Sequence, residues 1–300
     1  MYENYAGVYF SYHLRPKFDY SPFVDERIPT TSDNSLYAIV IQGPIIAKFT
    51  SETVKFYKRN YPKANIILST WKGEDVSGFE NVHIILNDKP LYVGLRNINL
   101  QICSSLAGIK MAQSLKIPYV LKTRSDQRIY GLNCLTFMHN LLKCFGDRVI
   151  GIDFCSHLNS SFFFGDMFLF SSTQNLLDYF SCPLTTPERE NLSIEILETE
   201  GFLAERYLFY EFLKRKNWDF ELTYENYYRA IAKFCLSVGS EEIDLFWLKG
   251  RRFKEHRNQS YTRYGHTFPF KEWFNLYVKY STKVVQQVND GGSGNKTISS

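Results

Sequence analysis

The sequence predicts an α/β fold, a mainly parallel sheet with helices on both faces, carried by a single domain with a C-terminal extension. Three observations lead there. Four short apolar runs recur in the first half, at 36–41, 64–70, 82–86 and 119–121. Helical periodicity fills two of the gaps, at 50–61 and 97–115. Turn-forming residues such as Gln42-Gly43-Pro44 and Asn87-Asp88 close the runs.

Residues 1–35 read as an N-terminal arm lying over the surface, broken by Pro16, Pro22 and Pro29. Leu36 to Ile41 is the first buried strand. Thr50 or Ser51 can cap the helix that follows, with Val54, Tyr57 and Tyr61 on one face and Pro62 ending it. Residues 64–70 and 82–86 are the second and third strands. Ile98, Ile102, Leu106, Ile109 and Ala112 line one face of a long helix that Pro118 stops. Tyr119-Val120-Leu121 is the fourth strand and runs straight into Lys122-Thr123-Arg124-Ser125-Asp126.

The second half is less regular. Leu135, Met138, Leu141 or Leu142, and Phe145 suggest a helix, and 149–152 a strand. Residues 161–171 read as two short aromatic strands around Gly165-Asp166, and 198–216 as a helix. The Gly- and Ser-rich tail, 289–300, reads as disordered.

Bulk numbers narrow the classes. A chain of 300 residues suits one large α/β domain. The net charge of +4 is compatible with phosphate-bearing ligands or an anionic membrane face, but is too small and dispersed to argue for nucleic acid. A basic stretch at 249–257 reads either as a solvated loop or as a phosphate contact. Aromatics make up 17%, which fits a Phe- and Tyr-rich core and also flat faces for sugars or bases. None of the six cysteines has C-x-x-C spacing, so a zinc ribbon or thioredoxin-type site is excluded and reduced thiols are expected. No signal peptide and no apolar run of membrane-spanning length is present. These readings point to a cytoplasmic protein whose membrane contact, if it has one, is peripheral.

In a parallel sheet of this kind ligands bind at the carboxyl ends of the strands. That directs attention to 42–44, 70–72, 87–89 and 124–128. Asp126 lies between Arg124 and Arg128, an arrangement suited to a diphosphate held through a divalent cation or by cationic side chains. The alternative is an ion pair at the strand end. Asp166, in Phe164-Gly165-Asp166-Met167, is a carboxylate among aromatics and a candidate base, or simply a turn residue. Glu205 is the rival base, or a partner for Arg206, and Glu200 is a third choice.

The segments Ile41-Gln42-Gly43-Pro44, Ile67-Leu68-Ser69-Thr70-Trp71-Lys72-Gly73-Glu74, Arg96-Asn97-Ile98-Asn99-Leu100-Gln101 and Lys122-Thr123-Arg124-Ser125-Asp126-Gln127 together resemble the WavE family, associated with lipopolysaccharide core and surface-polysaccharide synthesis. The resemblance covers roughly 36–180 and weakens beyond. It implies a GT-A-like (Rossmann-like) glycosyltransferase acting on a nucleotide-sugar and a glycan or glycolipid acceptor at the inner membrane's cytoplasmic face. Residues 36–130 would be the nucleotide-sugar-binding half and 131–288 the acceptor-binding half. Gln42, Gly43 and Pro44 would border the nucleoside, and Thr70 and Trp71 the base and ribose. Arg96 and Asn97 open the long helix, where Arg96 could reach the diphosphate. Arg124, Ser125 and Asp126 would hold it.

GT-A enzymes carry Asp-x-Asp at the end of the fourth strand; here Arg124 stands in the first acid's place, which puts metal dependence in question. If Mn2+ or Mg2+ is used, Asp126 and the late His266 are its implied ligands. Two rival readings remain. One is a sugar-phosphate transferase or nucleotidyltransferase. The other is a non-catalytic glycan-binding or assembly subunit.

Overall fold

The computed structural model describes residues 3–5, 8–10, 33–153, 156, 158–190, 203–248 and 268–290. In chain order the strands are β1 (Glu3–Tyr5), β2 (Val8–Phe10), β3 (Tyr37–Gln42), β4 (Asn65–Trp71), β5 (His83–Asn87), β6 (Tyr119–Arg124), β7 (Gln127–Ile129), β8 (Val149–Ile152), β9 (Leu169–Ser172), β10 (Cys235–Val238) and β11 (Leu245–Trp247). The main helices are α1 (Ala47–Asn60), α2 (Ile98–Ser114), α3 (Cys134–Phe145), α4 (Thr173–Phe180), α5 (Ala204–Arg215), α6 (Tyr224–Phe234) and α7 (Phe270–Asp290).

The main sheet has seven strands in the order β5-β4-β3-β6-β9-β8-β10. Six run parallel, and β9 alone is antiparallel, to both β6 and β8. The chain starts at β3, moves outward to β5, then returns through α2 to β6 on the other side of β3. β3 and β6 therefore flank the point where the winding reverses, and a crevice opens at their carboxyl ends. α2 packs across β3, β4, β5 and β6. Its approach is close: a Cβ on Gly108 would sit 2.3 Å from Val40 Cγ1.

The strands form because their apolar runs are buried on both faces. β3 has no exposed residue, and β4 and β6 are buried along most of their length. One continuous apolar cluster runs from Tyr37 to Trp273. Many aromatics are spent there, including Phe162, Phe164, Phe168, Phe170, Tyr179 and Phe209. No helix among the described residues is long and apolar enough to cross a membrane. The described cysteines are all free thiols.

Several expectations need correction. The first helix begins at Ala47, so neither Thr50 nor Ser51 is its cap; Thr50 Oγ1 instead accepts from Ile46 N, 2.8 Å, inside the first turn. Residues 161–168 form no strand. Their backbone carbonyls are taken by side chains: Arg206 Nε donates to Ser161 O, Tyr227 OH to Phe163 O and Lys122 Nζ to Asp166 O. The N-terminal arm contains a short antiparallel pair, β1 with β2. α7 runs to Asp290, two residues into the expected tail. The basic stretch at 249–257, Glu200 and His266 lie outside the described residues.

Candidate functional site at the switch point

The ends of β3 and β6 are locked together. Gln42 and Arg124 are register partners, and Ser125 N donates to Gln42 O at 2.9 Å. Gly43 N donates to Ser69 O on β4 at 3.1 Å. Gly43 has φ +116°, and a Cβ there would lie 2.9 Å from Ser125 Oγ. Only glycine fits this crossing without strain. Thr50 Oγ1 donates to Ser125 O at 3.2 Å, so the first turn of α1 fixes the same peptide. The Gln42 side chain is committed to α2, accepting from Ser104 Oγ at 2.8 Å. Pro44 stays exposed at the rim.

Asp126 sits one residue beyond. Arg124 Nε and Nη2 donate to its two carboxylate oxygens at 2.8 and 3.1 Å, a bidentate fork. Trp247 Nε1, from β11, donates to Oδ2 at 2.9 Å. The Asp126 side chain is 5% exposed and that of Arg124 23%. Arg128 does not join them. It is fully buried on the α1 side, bonded to Thr53 Oγ1 at 3.0 Å and stacked over Phe49 at 4.7 Å. The expected pair of flanking arginines is thus one site arginine and one core arginine.

The two candidate bases converge on this point. Lys122, pointing inward from β6, donates to the Asp166 backbone oxygen at 2.6 Å. Burial pushes the Lys122 ammonium down to about 7, against the pull of Asp166. Burial raises the Asp166 carboxyl, opposed by Lys122 and Arg124. Glu205 lies in the first turn of α5. Burial, reinforced by Asp166, pushes it up to about 7, with Arg96 and Arg124 acting in the other direction. Glu205 Oε2 and Tyr179 OH are buried here without a hydrogen-bond partner, and the Gln101 side chain faces Asp166 and helps to hold its carboxyl down. Glu205 does not pair with Arg206, whose guanidinium is held by Ser160 and Ser161.

The remaining sequence candidates are distributed around this centre. Arg96 and Asn97 are exposed at the start of α2, both left-handed, with φ 55° and 63°. Thr70 and Trp71 end β4 but are buried, Trp71 at 3% exposure, so the indole face is closed to a base in this conformation. Asn87 Nδ2 ties that strand end, donating to Thr70 O at 2.8 Å.

The described residues do not fit a divalent cation. Both Asp126 oxygens already accept from N–H donors, and a guanidinium stands where a cation would need to be. No group of three or more His, Cys, Asp or Glu able to hold a metal occurs among the described residues.

Lys122, Gln101, Tyr179 and Trp247 were not singled out as functional from the sequence. For Lys122 a signal existed, a charged residue inside an apolar strand run. For Trp247 there was none, since it is 121 residues from its partner Asp126.

A family model described as WavE lipopolysaccharide synthesis matches residues 37–290. That span takes in every strand of the main sheet, the Arg124–Asp126 fork and both buried carboxylates. No curated protein matches the chain. The chain belongs to the WavE lipopolysaccharide synthesis family.

Proposed function

We propose that the protein is a glycosyltransferase with a GT-A-type sheet. It moves a sugar from a nucleotide-sugar to a lipopolysaccharide-type acceptor. One observation carries this reading: Arg124, Asp126, Asp166 and Glu205 gather at the carboxyl edge of the β3/β6 switch point. The donor lies along the strand ends, with its diphosphate toward the partly exposed Arg124 and the exposed Arg96. Asp126 acts as a positioning residue, holding Arg124 by the fork that Trp247 buttresses.

Glu205 is the base. The acceptor hydroxyl passes its proton to the Glu205 carboxylate, and its oxygen forms a bond to the anomeric carbon. The bond from that carbon to the diphosphate breaks, and the electron pair leaves on the diphosphate, where the arginines meet it. A single displacement of this kind inverts the anomeric carbon. Asp166 sits deeper, at 2% exposure, and acts by keeping the proton affinity of Glu205 high. Charge neutralisation by arginine is the role a divalent cation would otherwise fill.

A thermal-shift series with UDP, GDP, CDP and CMP, each with and without Mn2+, tests donor binding. One nucleoside diphosphate should raise the melting temperature without metal. Failure of all four would overturn the assignment. Product analysis showing a phosphodiester in place of a glycosidic bond would do the same.

A further inference from the structure

The segment between β5 and α2 holds a group of apolar side chains in water. Leu91, Tyr92, Val93 and Leu95 are all exposed, Leu91 fully at 109%, and Leu86 is exposed near the end of β5 just before them. Leu184, also exposed, belongs to the neighbouring loop. The two loops are stitched side by side, because Asn99 Nδ2 donates to Tyr92 O at 2.8 Å and to Thr185 O at 2.9 Å.

This exposure is built in. Glu190, buried at 2%, accepts from Leu95 N at 2.9 Å, Tyr92 OH at 2.5 Å and Thr185 Oγ1 at 2.8 Å. Asn99 N donates to Val93 O at 3.0 Å. Gly94 takes φ +75° where a Cβ would meet Ile98 Cγ2 at 2.5 Å. The backbone is pinned from behind and the Tyr92 hydroxyl is turned in to Glu190, while Leu91, Val93 and Leu95 stay exposed. A contiguous exposed apolar group on a fixed loop marks an interaction surface.

Its size and charge identify the occupant. Six side chains are too few for a lasting protein interface, which takes about 800 Å² and roughly 20–30 residues on each partner. Protruding aliphatic side chains on a fixed loop suit the boundary of a bilayer. Lys89 and Arg96 flank the run, and the charge of Asp88 is met by Lys72 at 2.7 Å. Glu188 and Arg189 on the adjoining helical turn carry opposite charges, and Glu190 is buried and bonded behind the loop. The loop therefore faces outward with apolar tips between cations, complementary to an anionic headgroup layer.

We propose that this loop, with Leu91 at its tip, docks the protein on an anionic lipid bilayer. Leu95 is followed by Arg96, whose charge acts on Glu205, so docking sets the mouth of the crevice at headgroup level. The proposal rests on the transferase reading only for the purpose of the docking, a lipid-linked acceptor that cannot leave the membrane. Binding itself is measured without any sugar transfer.

The test is flotation of the full chain with vesicles of phosphatidylethanolamine and phosphatidylglycerol, and with phosphatidylcholine alone. The wild type should float with the anionic vesicles and be released by salt. The double variant Leu91→Ser/Val93→Ser should bind at least tenfold more weakly with an unchanged melting temperature. Leu222→Ser, another exposed leucine far along the chain, should bind as the wild type does. In Leu91→Trp, tryptophan emission should move to the blue on adding anionic vesicles. Absence of wild-type flotation, or equal binding by the double variant, overturns the proposal. So does a change of oligomeric state in the double variant, which would assign the loop to a second copy of the chain. Nucleotide thermal shifts should survive in the double variant; their absence in the wild type would count against the transferase reading alone.

Discussion

Replacing Glu205 by Gln should produce an enzyme that is less active and more stable. The substitution keeps the size of the side chain and removes its charge. In the folded protein burial and Asp166 push Glu205 from 4.5 up to about 7. The folded state thus holds this proton more tightly than the unfolded chain does. The stability it contributes is fully present below pH 4.5 and is lost as pH rises through about 7. At 1.36 kcal/mol per pH unit, the loss between those limits is roughly 3 kcal/mol. Glu205→Gln removes that loss, so at pH 8 the variant should melt about 6 °C higher than the wild type, at about 2 °C per kcal/mol for a chain of this size. Asp166 remains and keeps its own share of the pH dependence. Transfer should fall by about 10²–10⁴-fold. The wild-type rate should rise through about pH 7, and that limb should vanish in the variant. Melting curves from pH 5 to 9 beside initial rates decide the matter. A variant that transfers sugar normally, or whose stability tracks pH as the wild type does, would refute the reasoning.

Other perturbations probe the rest of the site. Arg124→Ala strips a side chain that is 5% exposed, Asp126, of its fork, and should cost about 3–5 kcal/mol in urea unfolding along with nucleotide affinity. Arg124→Lys keeps the charge without the fork, so it should not restore the affinity measured by calorimetry. Gly43→Ala meets both a φ of +116° and Ser125 Oγ, and should lose about 1–3 kcal/mol; adding Ser125→Ala should recover only part, because the backbone strain stays. Transfer by the wild type should persist in EDTA, and strict dependence on added Mn2+ would overturn the role given to the arginines.

The first half of the fold was legible because its four apolar runs and two helical patterns are well separated, with Gly43, Pro62, Asn87 and Pro118 marking the joints. Strand ends at 42–44 and 124–126 followed from that order, and the structure brings them together. The second half lacks such marks. β9 passes directly into α4 with Ser172 as the cap, and α6 passes into β10 at Cys235 with no turn residue between them. The aromatic run at 161–168 has the composition of a strand, yet side chains from distant elements take its carbonyls. Neither β7 nor β11 is more than three residues long, and each exists only by pairing with the other. Sequence reasoning placed Asp166 and Glu205 on one list, but only the tertiary fold makes each part of the other's electrostatic environment.

The tie between Asp126 and the strand at 245–247 also sets a clock. Trp247 Nε1 and Leu248 N both reach back to Asp126, across more than 120 residues, and β11 completes the small sheet that β7 begins. On the ribosome, the first 130 residues can emerge and lay down β3, β4, β5 and β6 long before those donors exist. Until residues 247 and 248 have been made, the carboxylate that orients Arg124 lacks its buttress. The Arg124–Asp126 fork therefore reaches its native set of donors late in synthesis, together with β11.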